Sequence, residues 1–176
     1  MKRLYLLRHA KAERDSESGE DFDRPLAERG FRDAKALGRF LSARDWRPHL
    51  MVTSTARRTL QTVERMTADW PKPVAIVEEP GLYLASPELL LDSVRVSSDK
   101  AASLMLVAHN PGIENLAIEL NRNVASEAAR RMYKKFPTCG LAVFELSIER
   151  WSRVSPDLAR LVAYFGPKDL ADDALA

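Results

Sequence analysis

Two uninterrupted apolar runs, Leu4-Tyr5-Leu6-Leu7 and Leu104-Met105-Leu106-Val107-Ala108, constrain this chain more than anything else in it. Neither contains a turn former and each has strand length, so both read as strands buried on two faces, as in the middle of an α/β sheet. Both also deliver a histidine: Arg8-His9 follows the first run and His109 the second. A buried strand has no use for an arginine or an imidazole. The pattern therefore places these residues at strand carboxyl ends, where open α/β sheets collect their ligands.

Helical and extended patterns alternate between the two runs. Residues 11–25 are polar and acidic, with Asp15, Glu17, Glu20, Asp21 and Asp23 around Ser16, Ser18 and Gly19, and read as a loop with room to move. Ala27, Phe31, Ala34, Gly38 and Leu41 recur at helical spacing over residues 26–44. Leu50-Met51-Val52 reads as a second strand. Ala56, Leu60, Val63, Thr67 and Trp70 then share one face of a helix that the Ser54 hydroxyl is placed to cap. Pro71 and Pro73 end that helix, and Val74-Ala75-Ile76-Val77 forms a third strand. Ser86-Pro87-Glu88 starts a helix running to about residue 96. Asn110-Pro111-Gly112 turns the chain into another, carrying Ile113, Leu116, Ala117 and Leu120. Arg130, Arg131, Lys134 and Lys135 read as a solvated helix face. Residues 141–146 and 158–165 are closing strands, and the tail after Asp169 is a short helix or frayed.

Composition narrows the function classes. A chain of 176 residues is expected to form one domain, 1–176, burying roughly 70% of its unfolded surface. A formal charge of +2, without an aromatic-interleaved basic stripe, argues against a nucleic-acid partner. No apolar stretch reaches membrane-spanning length, and the run after Met1-Lys2-Arg3 is too short for a signal peptide, so the expected address is cytoplasmic with no membrane partner. Cys139 is the only cysteine, which excludes an intramolecular disulfide and a cysteine-rich metal site; it reads as a small buried strand residue.

The second helix carries Arg57 and Arg58 in its first turn. Arginines beside the positive end of a helix are unfavourable unless an anion pairs with both, and a phosphate resolves the conflict. Arg8, Arg58 and the helix dipole can then take its oxygens while an imidazole approaches phosphorus. His49 lies at a strand entrance after Pro48, away from the carboxyl edge, and reads as a surface residue.

Four motifs in order now resemble one family: Leu7-Arg8-His9-Ala10; Arg24-Pro25-Leu26 with Glu28-Arg29-Gly30; Ser54-Thr55-Ala56-Arg57-Arg58-Thr59-Leu60-Gln61-Thr62; and Val107-Ala108-His109-Asn110-Pro111-Gly112. Together they resemble the histidine phosphatase superfamily, and within it the small SixA-type branch, named for a phosphohistidine phosphatase. Leu82-Tyr83, Phe136-Pro137-Thr138 and Trp151 are similar to that branch too, so the resemblance spans nearly the whole chain. It implies a three-layer α/β/α sandwich with a mostly parallel central sheet, like phosphoglycerate mutase.

The resemblance also implies roles. His9 matches the nucleophile that takes the phosphoryl group, Arg8 its phosphate-binding neighbour, Arg58 the second arginine and His109 the second pocket histidine. Arg24 corresponds to an extra arginine of the SixA branch, and Asn110 and Ser54 join it as expected substrate-binding residues. No cofactor and no metal are implied. The expected substrate is a phosphoryl group, with a phosphohistidine-containing signalling protein as the implied partner and a monomer as the implied state. A small-molecule phosphomonoesterase, and less so a non-catalytic phosphate-binding module, are the rival readings.

One feature departs from the wider superfamily, where an acid commonly follows the third strand two residues beyond a leucine; the matching position here is Leu84. An alkoxide leaving group needs a proton donor, whereas an imidazole departs readily once its other nitrogen is protonated. The departure favours a phosphoramidate or an activated ester, with Glu78, Glu79 or an acid of residues 13–23 as the available substitutes. Asp21-Phe22-Asp23 superficially resembles the paired aspartates of haloacid dehalogenase phosphatases, but it follows a polar loop and not a buried strand. Cys139 lacks the downstream arginine of a cysteine phosphatase, because Glu145 occupies that position.

Overall fold

The computed structural model describes residues 1–172. Six strands form one sheet: β1 Lys2–Arg8, β2 Leu50–Thr53, β3 Ala75–Glu78, β4 Ser103–Ala108, β5 Leu141–Leu146 and β6 Ala159–Phe165. Their order is β3-β2-β4-β1-β5-β6. Strands β1, β2, β3 and β4 pair in parallel, while β5 and β6 close the sheet in antiparallel fashion. The two apolar runs are thus central neighbours. β3, with all four residues exposed, is an edge.

Strand alternation builds the three layers. Leu4 and Leu6 of β1 point into one core, with Leu104 and Leu106 of β4. Helices α3 Pro87–Arg95, α4 Gly112–Leu120 and α5 Glu127–Lys134 cover that face through Leu90, Ile113, Leu116 and Met132. Tyr5 and Leu7 point into the other core with Met105 and Val107. There α1 Glu28–Ala43, α2 Arg57–Thr67 and α6 Pro167–Asp172 pack through Leu37, Leu41, Val63, Met66 and Leu170. The expected three-layer α/β/α architecture is the one observed. Of the expected C-terminal tail, α6 accounts for residues up to 172, and the rest lies outside the described residues.

Local signals explain several boundaries. Ser86 accepts a hydrogen bond from the Leu89 N–H at the start of α3, the cap its sequence predicts. α1 and α2 can touch backbone to backbone because position 38 is glycine: a Cβ there would lie 1.9 Å from the Met66 carbonyl oxygen. The solvated basic face of α5 is also found, with Ala129 and Met132 inward and Arg130 paired to Glu127.

Three expectations need correction. The inward face of α2 is Arg58, Thr59, Thr62, Val63 and Met66, rotated from the predicted stripe. The threonines tolerate burial because their hydroxyls find carbonyls: Thr62 donates to Arg58 O at 2.6 Å, and Thr59 to Ala56 O at 2.7 Å. Ser54 does not cap α2 at its N-cap position, which is Ala56. Cys139 is buried, but it sits in the turn before β5 with φ 60°, not in a strand.

Candidate active site

Register creates the site. Arg8 pairs with Ala108 across β1 and β4, and Thr53 with Val107 across β2 and β4. The next residue on each strand is therefore His9, His109 or Ser54, all at one edge. His9 N–H donates to the Ala108 carbonyl and Ser54 N–H to the Val107 carbonyl, both at 3.1 Å, extending the ladder past the strand ends. The two imidazoles come within 5.3 Å of each other, centroid to centroid.

Hydrogen bonding assigns the His9 tautomer and holds the His109 ring. His9 Nδ1 lies 2.7 Å from the Ala10 carbonyl oxygen, which can only accept, so Nδ1 carries the proton and Nε2 the lone pair. On His109, Nε2 lies 2.8 Å from the Ser54 hydroxyl, and that hydroxyl accepts from the Ala56 N–H at 3.3 Å. A hydroxyl accepts twice and donates once, so this contact is open to either tautomer of His109, and what it leaves over is the ring's Nδ1. That Nδ1 is buried without a partner among the described residues, as are Arg8 Nε and Asn110 Oδ1. Asp33 Oδ2, Arg47 Nε and Arg65 Nε share that state outside the cleft.

Both histidines are neutral at ordinary pH. Burial is the main cause for His9, with Arg58, Arg8 and Arg24 adding repulsion, and it is lowered to about 4. His109 is lowered to about 3, again chiefly by burial and then by His9 and Arg58. A neutral His9 with a free Nε2 lone pair is able to attack an electrophilic centre.

The cleft in front of these rings has a volume of about 350 Å³. Arg8, Arg24, Arg58, Lys11 and Asn110 line it with the two histidines, and so do Asp21 and Leu84. Arg8 is fixed by donating to the Phe136 carbonyl at 2.8 Å. Asn110 Nδ2 donates to Glu114 at 2.6 Å. The residues expected at the site are thus brought together, with one exception: Ser54 is fully buried behind His109 and does not line the cleft. Its contact is with the imidazole, because β2 ends one residue too early to carry its side chain into the opening. Arg57 is exposed, and His49 lies on the surface as expected, its Nδ1 against Ser103.

The sequence offers residues 13–23 as a source of acids without distinguishing one for the site, and Asp21-Phe22-Asp23 stands out there only for its superficial likeness to paired aspartates. The structure selects Asp21, which begins a 3-10 turn, Asp21–Asp23. The loop is anchored by hydrogen bonds: Glu13 N–H to the Pro25 carbonyl at 2.9 Å, Arg24 Nε to the Glu13 carbonyl at 2.7 Å and Ser18 Oγ to Asp23 at 2.7 Å. Glu78 and Glu79 are exposed, and Glu79 is used in holding the Gly81 N–H. A depression of similar size, about 360 Å³, lies against Phe31, Gln61, Glu64, Arg65 and Ala68 and is lined by no histidine. Among the described residues, no three His, Cys, Asp or Glu side chains are grouped to hold a metal ion. No helix among them is long and apolar enough to cross a membrane.

Comparison with known proteins agrees with this geometry. The family model of the histidine phosphatase superfamily (branch 1) matches residues 4–83, which contain Arg8, His9, Arg24 and Arg58. An uncharacterized protein of Mycobacterium tuberculosis is 34% identical over 164 residues, spanning 92% of this chain and 100% of its own. Among solved structures, a candidate SixA phosphohistidine phosphatase from Agrobacterium tumefaciens is 32% identical, with TM-score 0.77 over 94% of this chain and 98% of that one. Another, from Nakamurella multipartitia, is 27% identical, with TM-score 0.80 over 94% and 96%. Likeness over nearly the full length, and not only at the histidine strands, settles the relationship: the chain belongs to the histidine phosphatase superfamily.

Proposed function

We propose that the chain is a phosphohistidine phosphatase of SixA type, acting on a phosphoramidate carried by a protein. His9 Nε2 attacks phosphorus, forming a new N–P bond as the P–N bond to the departing imidazole breaks; the departing ring leaves neutral, with a proton on its other nitrogen. Water then attacks the phosphoryl group on His9, releasing phosphate and restoring the imidazole. Arg8, Arg24, Arg58 and His109 stabilise the equatorial oxygens during both transfers. No step in this scheme calls on a metal.

The observation that carries the choice of substrate is the state of the cleft's carboxylate. Among the described residues Asp21 is the only carboxylate lining it. Asp21 accepts from Tyr83 Oη at 2.7 Å, Arg24 Nη1 at 2.6 Å and Arg58 Nη2 at 2.9 Å. These donors, Tyr83 foremost, hold its carboxyl well below the usual carboxylate range, so it has no proton to give. Leu84 lines the cleft with φ 50° and offers none either. A leaving group that depends on enzymatic protonation is poorly served, whereas an imidazole is not.

The test is a rate comparison at neutral pH across phosphohistidine on a protein, phosphoserine, a sugar phosphate and an aryl phosphate. Phosphohistidine is expected to react fastest, by about 100-fold or more over the alkyl esters, the usual worth of a general acid. Equal rates would overturn the substrate class, and no turnover of any of them would overturn the phosphatase reading.

A further inference from the structure

Three guanidiniums converge on the cleft, from β1, from the loop after it and from α2. Long, flexible, like-charged side chains do not hold such an arrangement unaided. Arg24 and Arg58 meet at a single carboxylate: Asp21 Oδ1 accepts from Arg24 and Oδ2 from Arg58. Arg58 also donates Nη1 to the Asp21 backbone carbonyl at 2.6 Å, so side chain and turn hold each other. The turn is itself seated on the site, with Phe22 edge-on to Tyr83 at 5.0 Å and Tyr83 edge-on to His109 at 5.4 Å.

We propose that Asp21 is a positioning residue for phosphoryl transfer, cross-linking Arg24 and Arg58 so that both guanidiniums face the phosphoryl group at His9. The proposal rests on the phosphatase reading above. Each terminal guanidinium nitrogen carries two N–H donors, and the contacts to Asp21 use one apiece. Arg58 therefore keeps donors for a phosphate oxygen while still bound to Asp21, and substrate need not evict the carboxylate. Three guanidiniums set against one carboxylate leave the cleft positive, as a phosphoryl dianion requires. Tyr83 shares in this clamp through its hydroxyl on Asp21 and through its ring, over which the Arg58 guanidinium lies 5.8 Å from the centroid.

The experiment measures inorganic phosphate binding by calorimetry on the full chain, for wild type, Asp21→Asn, Tyr83→Phe, Arg24→Ala and the Asp21→Asn/Arg24→Ala pair. Asp21→Asn is expected to weaken binding about tenfold or more, since displaced contacts of this kind are felt steeply. Tyr83→Phe keeps the ring contacts to Phe22, His109 and Arg58 and should weaken it less, in the same direction. Because Asp21 acts through the arginines, its loss should matter less once Arg24 is gone, a non-additivity that a merely structural role would not produce. Equal or tighter phosphate binding by Asp21→Asn would overturn the proposal and mark Asp21 as a competing internal anion. Strict additivity with Arg24→Ala would overturn it too. If Asp21→Asn does not fold, Tyr83→Phe decides: unchanged binding refutes the clamp. Phosphate binding is read without turnover, so a wild type that binds phosphate but hydrolyses nothing refutes the phosphatase and leaves the clamp standing.

Discussion

His9 and His109 stand 5.3 Å apart because Arg8 and Ala108 are partners in the sheet. Parallel pairing of two adjacent buried strands makes the residues that follow them neighbours, whatever their separation in sequence. Everything proposed for the reaction depends on that pairing and on the free Nε2 lone pair of His9.

His9→Ala should remove turnover, by roughly 1,000-fold or more, while the far-UV spectrum and melting cooperativity stay those of wild type. A labelled phosphodonor should leave acid-labile phosphate on His9 in wild type. Label on any other residue would displace His9 as the nucleophile.

Leu84→Glu places an acid at the cleft edge. It should raise the rate on alkyl phosphates relative to phosphohistidine by about tenfold or more, because only the alkoxide needs the proton. An unchanged ratio of kcat/KM values would show that the leaving group is protonated by other means.

Ser54→Ala removes the partner of His109 Nε2 at a fully buried position. Stability should fall by about 1–3 kcal/mol, the cost of an orphaned buried polar atom. Kinetically, kcat should drop more than KM rises, because the ring loses the contact that holds it in place; the opposite split would return Ser54 to substrate binding.

Stability should fall as pH drops below about 6.5. Imidazoles of the unfolded chain titrate near 6.5, whereas His9 is lowered to about 4 and His109 to about 3 in the fold. Between these values the unfolded state binds more protons, so their contribution is complete above the unfolded pKa and is lost on acidification. Each histidine gives a slope of up to about 1.4 kcal/mol per pH unit, and urea midpoints measured between about pH 7 and about pH 5 should show it. His109→Gln should flatten the profile; a flat wild-type profile would contradict the burial of both rings.

Gly30→Ala should destabilise the fold by about 1–3 kcal/mol, as overpacking does. A Cβ there would meet the Lys11 carbonyl oxygen at 2.0 Å, with backbone on both sides and nothing flexible to yield. A melting temperature equal to wild type would show that α1 and the strand-end loop can separate.

Much of this was legible before any coordinates. The runs at Leu4 and Leu104 declare central strands because uninterrupted apolar segments must be covered on two faces, and Ser86 declares a helix start because only certain side chains satisfy a first-turn N–H. Helix α2 was harder to read, since Thr59 and Thr62 look like surface residues until their hydroxyls are seen bonded to carbonyls within the helix turn. Among the six acids of the 11–25 loop, nothing local distinguishes Asp21 from Asp15 or Glu20.

The sequence by itself determined the sheet's centre and the histidines at its edge, because apolar periodicity and strand alternation are local properties that burial enforces. Only the tertiary structure decided that Asp21 meets Arg58, 37 residues further on, and Tyr83, 62 residues further on. Such contacts depend on the path of the intervening chain and on which donors the packed elements bring to one point, and neither is encoded in the residues nearby.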